Sequence, residues 1–208
     1  MAAPTFSPMS YETIVANWDT PQAVDWGLVY RTLGRYLREV IATFSRQNPA
    51  AVVYGMVIVH GQNWELSVHL NTEEGYGSMP ARFRTQSNWP ARTDAELLDA
   101  LGRWYYDAWE FGLYEFECQP EVNAVNNVHY KLFDRLSTHP AASGEVDLPD
   151  HFLHACALAV AILESSPELR KIRRTADFEI RFFDANRHEW DTAFLMEAAR
   201  RQAAGEGP

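Results

Sequence analysis

The chain has 208 residues, of which 47% are hydrophobic and 22% are charged, a composition typical of a folded globular protein and not of a disordered one. Its formal net charge is −10, so a nucleic-acid backbone or an anionic membrane surface would repel it. A basic protein would instead be attracted. The composition therefore argues against nucleic acid or membrane as a ligand. It is compatible with a basic protein partner, but solubility alone also accounts for the acidic charge, as it does in many cytosolic proteins.

Two cysteines, Cys118 and Cys156, stand far apart and form no CxxC motif, which is typical of reduced thiols in the cytoplasm. Residues 1–19 contain loop-forming prolines and lack a basic region followed by an apolar one, so they predict no secretion signal. No apolar run approaches the ~18 residues that a membrane span needs. We therefore expect a cytoplasmic protein with one domain over residues 1–208, whose ends, 1–19 and 204–208, are flexible.

The first predicted element is a helix that begins near Pro21, because Thr20 is a suitable N-cap and proline is favoured in a first helical turn. Asn48-Pro49 ends it. Within the helix, apolar residues recur every three or four positions and form one stripe, which consists of Trp26, Tyr30, Leu33, Leu37, Val40 and Phe44.

A β-hairpin over residues 52–71 is predicted next. Residues 52–60 are rich in β-branched side chains, a turn-like Gly-Gln-Asn follows, and residues 64–71 alternate between apolar and polar. The apolar face of the second strand consists of Trp64, Leu66, Val68 and Leu70. The glycines and prolines of residues 72–91 then predict a loop, with a short strand at 82–85.

Thr93-Asp-Ala-Glu96 is a capping box, which predicts the start of a helix. Its apolar face continues to Phe111, so we expect the helix to end at Gly112. On the opposite side, Asp99, Arg103 and Asp107 are spaced at i, i+4 intervals and are expected to pair in solvent. The same polar side carries Tyr106 and Glu110.

The remaining sequence predicts a helix over 122–136, a buried helix that begins near His151, a strand over 177–184 and a final helix. The strand is expected to join the hairpin. Strands and helices do not alternate strictly, so the sequence predicts an α+β fold and not a doubly wound one. We expect a small, mainly antiparallel sheet packed with five or six helices.

A possible metal site is suggested by His151 and His154, because histidines three positions apart on a helix can share one ion. Asp150 is an adjacent acid that would complete it. The sequence contains no HExxH, CxxC or GxSxG motif, so solvated histidines are favoured, and neither a cofactor nor a catalytic residue is predicted. A metal-dependent or carboxylate-based hydrolase that uses these residues is the alternative to a binding protein.

The hairpin and its continuation, VVYGMVIVHGQNWELSVHLNTEEG, resemble a family of bacterial domains of unknown function found near polymorphic toxin–immunity loci. In that family a helix precedes the two strands, and the second strand ends in a Thr-Glu-Glu-Gly type of motif. A tryptophan-bearing stretch and a terminal strand–Asp–helix follow, here FEIRFFDANRHEWDTAFLMEAAR. The resemblance spans residues 20–200 and implies an immunity protein that neutralises a cognate toxin.

The predicted partner-binding surface combines carboxylates with aromatic rings. Carboxylates steer a basic partner during encounter, and aromatic side chains provide affinity once they are desolvated. The predicted surface consists of Tyr106, Glu110, Glu115 and Glu117, followed by Glu73 and Glu74.

Overall fold

The structure is a computed structural model that describes residues 26–61, 66–86, 92–112, 148–185 and 189–205. These residues form six α-helices, three strands and one 3₁₀ turn. They are α1 (Trp26–Gln47), β1 (Val52–His60), β2 (Leu66–Thr72), α2 (Glu73–Gln86), α3 (Asp94–Leu101), the 3₁₀ turn (Tyr106–Ala108), α4 (Leu148–Glu164), α5 (Pro167–Lys171), β3 (Arg173–Asp184) and α6 (Glu189–Ala203). The predicted α+β class is confirmed. None of the helices described is both long and apolar enough to cross a membrane.

Several predictions lie outside the described residues. These are the flexible segment 1–19, the cap at Thr20, the turn of the hairpin, the helix over 122–136 and the position of Cys118. The end of the predicted tail, 206–208, also lies outside, whereas Ala204 and Gly205 form a hydrogen-bonded turn after α6.

The three strands form one sheet in the order β2-β1-β3. β2 is antiparallel to β1, with Leu70 opposite Met56, as the hairpin prediction requires. β3 joins the other edge of β1 but runs parallel to it, with Ile180 opposite Met56. The sheet is therefore mixed and not mainly antiparallel, because the direction of β3 depends on a long connection that the local sequence pattern does not report.

Helices cover both faces of the sheet. On one face α1, α4 and α6 pack into a core that includes the α1 stripe predicted from sequence: Leu33, Leu37, Val40 and Phe44 are buried, while Trp26 and Tyr30 are partly buried at its edge. On the other face α2, α3 and the 3₁₀ turn form a second core, whose members are Tyr54, Val57, Val59, Met79, Phe83, Leu97, Ala108 and Trp109. β1 contributes to both cores.

The segment after β2 is helical, so the predicted loop with a strand at 82–85 is wrong. The Thr72 hydroxyl accepts a hydrogen bond from the backbone N–H of Gly75 at 2.9 Å, which satisfies one of the unpaired donors of the first turn. Met79 and Phe83 lie four residues apart and are both buried. Tertiary burial of this pair outweighs the low helix propensity of the glycines and of Pro80.

The capping box of α3 is confirmed, but the helix ends at Leu101 instead of continuing to Gly112. The Thr93 hydroxyl accepts from the Glu96 N–H at 3.3 Å, and the Glu96 carboxylate accepts from the Thr93 N–H at 2.8 Å. Gly102 then takes φ 70° and ψ 168°, a conformation that glycine alone adopts readily.

This early end overturns the predicted pairing on the polar side of the helix. Arg103 contacts Glu73 and Asp177 and does not pair within a helix with Asp99 and Asp107. Asp99 is exposed as predicted, whereas Arg103 and Glu110 are half-buried.

We expect Gly102→Ala to destabilise the protein by about 1–3 kcal/mol, because a Cβ is strained at this φ and ψ although no neighbouring atom lies within 4 Å of it. Chemical denaturation monitored by tryptophan fluorescence measures the effect. Gly34→Ala, within α1, is the control, because a Cβ at this position would make an ordinary 4.0 Å contact with Ala159 of α4. Equal stabilities of the two variants would contradict the proposed cause of the helix end.

Candidate functional site

The junction between β2 and α2 carries the acidic residues singled out in the sequence. Asn71 is fully buried, and its amide donates to the Tyr54 hydroxyl at 3.1 Å and accepts from the Glu110 N–H at 3.4 Å. Thr72 donates to the Glu110 carboxylate at 3.3 Å. These bonds hold Glu110 against the first turn of α2, where Glu73 and Glu74 are located.

The fold therefore brings together two parts of the predicted surface that are more than thirty residues apart. We call Glu73, Glu74 and Glu110 the carboxylate cluster. Glu73 and Glu74 are exposed, and Glu110 is half-buried. Glu115 and Glu117, the other predicted acids, lie outside the described residues.

Arg103 borders the carboxylate cluster. Its guanidinium contacts Glu73, lies 3.1 Å from the Asp177 carboxylate of β3 and is stacked 4.0 Å from the centre of the Tyr54 ring. Burial raises the pKa of Tyr54 to about 12, against the opposing effects of the Asn71 hydrogen bond and the Arg103 charge. Tyr54 therefore stays protonated at neutral pH and donates to the Arg103 carbonyl at 2.8 Å.

Tyr106 lies against the sheet instead of standing in solvent as predicted. It is half-buried, with its ring centre 5.1 Å from that of His69 and 5.9 Å from that of Phe183. Burial raises its pKa. The exposed aromatic residue of this segment is Tyr105, which would lie beside the apolar face in a helix that continued past Gly102.

The two helical histidines make separate contacts. His151 is stacked on Trp26 with ring centres 5.4 Å apart, whereas His154 Nε2 lies 3.1 Å from the Gln202 amide oxygen of α6. Asp150 belongs to α4, but its side chain is outside the description. Among the side chains that the structure does describe, no group of three or more His, Cys, Asp or Glu residues could hold one ion.

A second polar group, which the sequence analysis did not identify, lies at the carboxyl ends of the parallel strands. His60 and Asp184 are opposite each other in register and both buried, with Nδ1 3.3 Å from Oδ1. Burial, and then the Asp184 charge, raise the pKa of Cys156 well above its usual value. A protonated, buried thiol is a poor nucleophile, so the geometry does not support Cys156 as the nucleophile of an active site.

A serine–histidine pair lies on the outer strand, β2. Ser67 Oγ is 3.1 Å from His69 Nε2, and burial lowers the pKa of His69 although nearby Asp107 opposes this effect. The imidazole is therefore neutral at neutral pH. Tyr106 packs on its ring, with ring centres 5.1 Å apart. We interpret the pair as packing beneath the 3₁₀ turn.

Comparison of the chain with protein-family models, with curated protein sequences and with solved structures finds no match.

Gly75→Ala tests how the carboxylate cluster is held. A Cβ at Gly75 would overlap the Asn71 amide oxygen and would lie 2.6 Å from the Glu110 carboxylate, so these groups must move. We expect a loss of about 1–3 kcal/mol of stability, measured by chemical denaturation.

Gly77→Ala is the matched control in the same helix. No atom lies within 4 Å of its Cβ position, so we expect a gain of about 0.4–1 kcal/mol from the lower entropy of the unfolded chain. If both substitutions stabilised the protein, the close packing of α2 on Glu110 would be wrong.

We also expect the Cys156 thiol to react with a disulfide reagent about 100-fold or more slowly in the native state than in the denatured state, because reaction requires local opening. Since its pKa is raised, increasing the pH to about 8.5 should not activate it in the folded protein. The measurement is made in a Cys118→Ser background, so that only one thiol is counted. Rapid native reaction would contradict the burial of Cys156.

Proposed function

We propose that this chain is a cytoplasmic immunity-type protein that binds a basic bacterial toxin and neutralises it by occupying the toxin's basic surface or active site. The carboxylate cluster, with Tyr105 and Tyr106 nearby in the chain, is the proposed contact surface. Glu115 and Glu117 follow closely in sequence and are proposed to extend it.

The observation that carries this proposal is the convergence of Glu110 with Glu73 and Glu74 at the start of α2. The Thr72 hydroxyl donates to the Glu110 carboxylate and the Asn71 amide oxygen accepts from the Glu110 N–H, and these two bonds fix the Glu110 segment in place. A surface whose charges are positioned before binding loses less conformational entropy when a partner docks. The cluster is therefore suited to specific binding of cationic side chains.

The long-range electrostatics support the same partner. With a formal charge of −10, the chain attracts a basic protein before contact, which raises the association rate. The exposed ring of Tyr105 provides an aromatic anchor of the kind that contributes most to affinity at protein interfaces. The resemblance of the segment around Thr72 to immunity-associated domains supports a toxin as the basic partner.

The chemistry of the described side chains favours binding over catalysis. Cys156 is buried and protonated, and His69 is packed beneath Tyr106. His151 and His154 make separate contacts on α4. A hydrolase built on these histidines stays a prediction, and elemental analysis of the purified protein would test it, since stoichiometric zinc or iron would favour that function.

The proposal is tested by co-expressing the chain with the product of each neighbouring gene. We expect one product to be toxic alone and harmless in the presence of this chain. The double variant Glu74→Lys/Glu110→Gln should bind that product at least about tenfold more weakly, mainly through slower association, and protect poorly. Glutamine at position 110 keeps an acceptor for Thr72.

The charge-matched control is Glu39→Gln/Glu197→Lys, which changes the net charge by the same amount on helices outside the carboxylate cluster. It should bind and protect like the unmodified chain, and both variants should keep its melting temperature. Full protection by the Glu74/Glu110 variant would overturn the proposed surface. If no neighbouring product is neutralised, the proposed function itself is wrong.

A further inference from the structure

A groove on the surface of the layer formed by α1 and α4 combines arginine side chains with apolar ones. Its volume is about 580 Å³, within the range of about 300–1,000 Å³ that is typical of small-molecule sites. The groove is lined, among others, by Tyr30, Arg31, Gly34, Arg35 and Arg38 of α1 and by Ile162 of α4. It is therefore large enough to hold a small organic ligand.

The charge of this groove is opposite to that of the whole chain. Three guanidinium groups line it, and its described lining contains no Asp or Glu. Arg31, Arg35 and Arg38 are spaced at i, i+4 and i+7, so they lie on one side of α1 and extend over about 10 Å of the helix axis. In a chain of formal charge −10, this local concentration of positive charge favours an anion that has acidic groups at more than one point.

Arg38 adds a second, independent observation. Its side chain is half-buried, and none of the described residues forms a hydrogen bond or an ion pair with it. A guanidinium has five N–H donors, and partial removal of these donors from water without a partner costs free energy. An anion in the groove would accept hydrogen bonds from them.

Linked phosphate groups match this arrangement well. The guanidinium fork binds carboxylates and phosphates alike, but linked phosphates carry more negative charge and more acceptor oxygens, so they can engage neighbouring arginines together. Tyr30 and Ile162 are half-buried and provide an apolar wall beside the charges. We propose that the groove binds a small soluble organic molecule with two or more phosphate groups, such as a nucleoside diphosphate, whose organic part packs against Tyr30 and Ile162.

Isothermal titration calorimetry of the purified full chain with ADP, inorganic pyrophosphate and adenosine tests the proposal. At about 20 mM salt we expect ADP to bind with a Kd of about 100 µM or less, pyrophosphate to bind more weakly and adenosine not to bind. Only ADP combines linked phosphates with an apolar ring. Salt at about 300 mM should weaken the binding of ADP, because it screens the attraction between phosphate and guanidinium.

Three variants separate the contributions of charge and apolar contact. Arg38→Gln should weaken ADP and pyrophosphate at least about tenfold without changing the melting temperature, since no described residue pairs with Arg38. Ile162→Ala should weaken ADP alone, because pyrophosphate has no apolar part. Arg46→Gln is the matched control: it removes the same charge from the exposed last turn of α1, outside the groove, and should bind ADP like the unmodified chain.

Failure of both ADP and pyrophosphate to bind would overturn the proposal. Equal affinities of the Arg38→Gln and Arg46→Gln variants for ADP would also overturn it, since the groove would then have no specific part in binding. A chain that sediments with vesicles containing phosphoinositides but binds neither soluble ligand would assign the groove to a lipid headgroup instead. All of these outcomes leave the proposed binding of a basic partner untouched, because the carboxylate cluster lies where β2 meets α2, in the other helical layer.

Discussion

The fold depends on the burial of β1 on both of its faces. Val53, Met56 and Ile58 belong to the core beneath α1, α4 and α6, whereas Val57 and Val59 belong to the core beneath α2 and α3. A central strand of this kind cannot alternate between apolar and polar side chains, because neither face meets water. Its nearly continuous run of apolar residues, many of them β-branched, is the sequence signature of this requirement. Both helical layers therefore depend on β1, because it contributes buried side chains to the core beneath each of them.

Burial on both faces also constrains the polar residues near β1, because each buried polar atom needs a partner. The Tyr54 hydroxyl accepts from Asn71 and donates to the Arg103 carbonyl, which in turn also accepts from the Trp109 indole at 3.1 Å. These bonds connect β1, β2 and the irregular segment after α3. The surface position of Glu110 is therefore determined by a hydrogen-bond network that begins in the core.

The sequence predicted those elements whose signals are local. The β-branched run of β1, the apolar stripe of α1 and the capping box at Thr93 each depend on residues within a few positions of one another, and each is confirmed. The errors have non-local causes. α2 is helical because Met79 and Phe83 are buried in the same core as Val57 and Val59 of β1, which are distant in sequence. β3 is parallel to β1 because a long connection separates the two strands.

In the candidate site, too, the local features were predictable and the non-local ones were not. The acidic residues of the carboxylate cluster were recognised individually, but their proximity depends on the early end of α3 at Gly102. A helix that continued to Gly112 would have kept Tyr106 and Glu110 on one exposed face. The backbone instead turns, so that Glu110 reaches Thr72 and Tyr106 packs on His69. A positive φ at a single glycine is compatible with a helical sequence pattern on both sides, which is why the pattern did not reveal it.

Arg103 limits what the carboxylate cluster can contribute to binding. Its guanidinium lies between Glu73 and Asp177, whose side chains are 57% and 62% exposed. A cationic group of a partner must compete with Arg103 for both carboxylates, and solvent screens such exposed pairs strongly. Glu74, by contrast, is exposed, and Arg103 does not contact it in the described ion pairs. Under the proposed function, a basic partner is therefore expected to be attracted most strongly at Glu74 and Glu110, whereas Arg103 mainly joins α2 to β3.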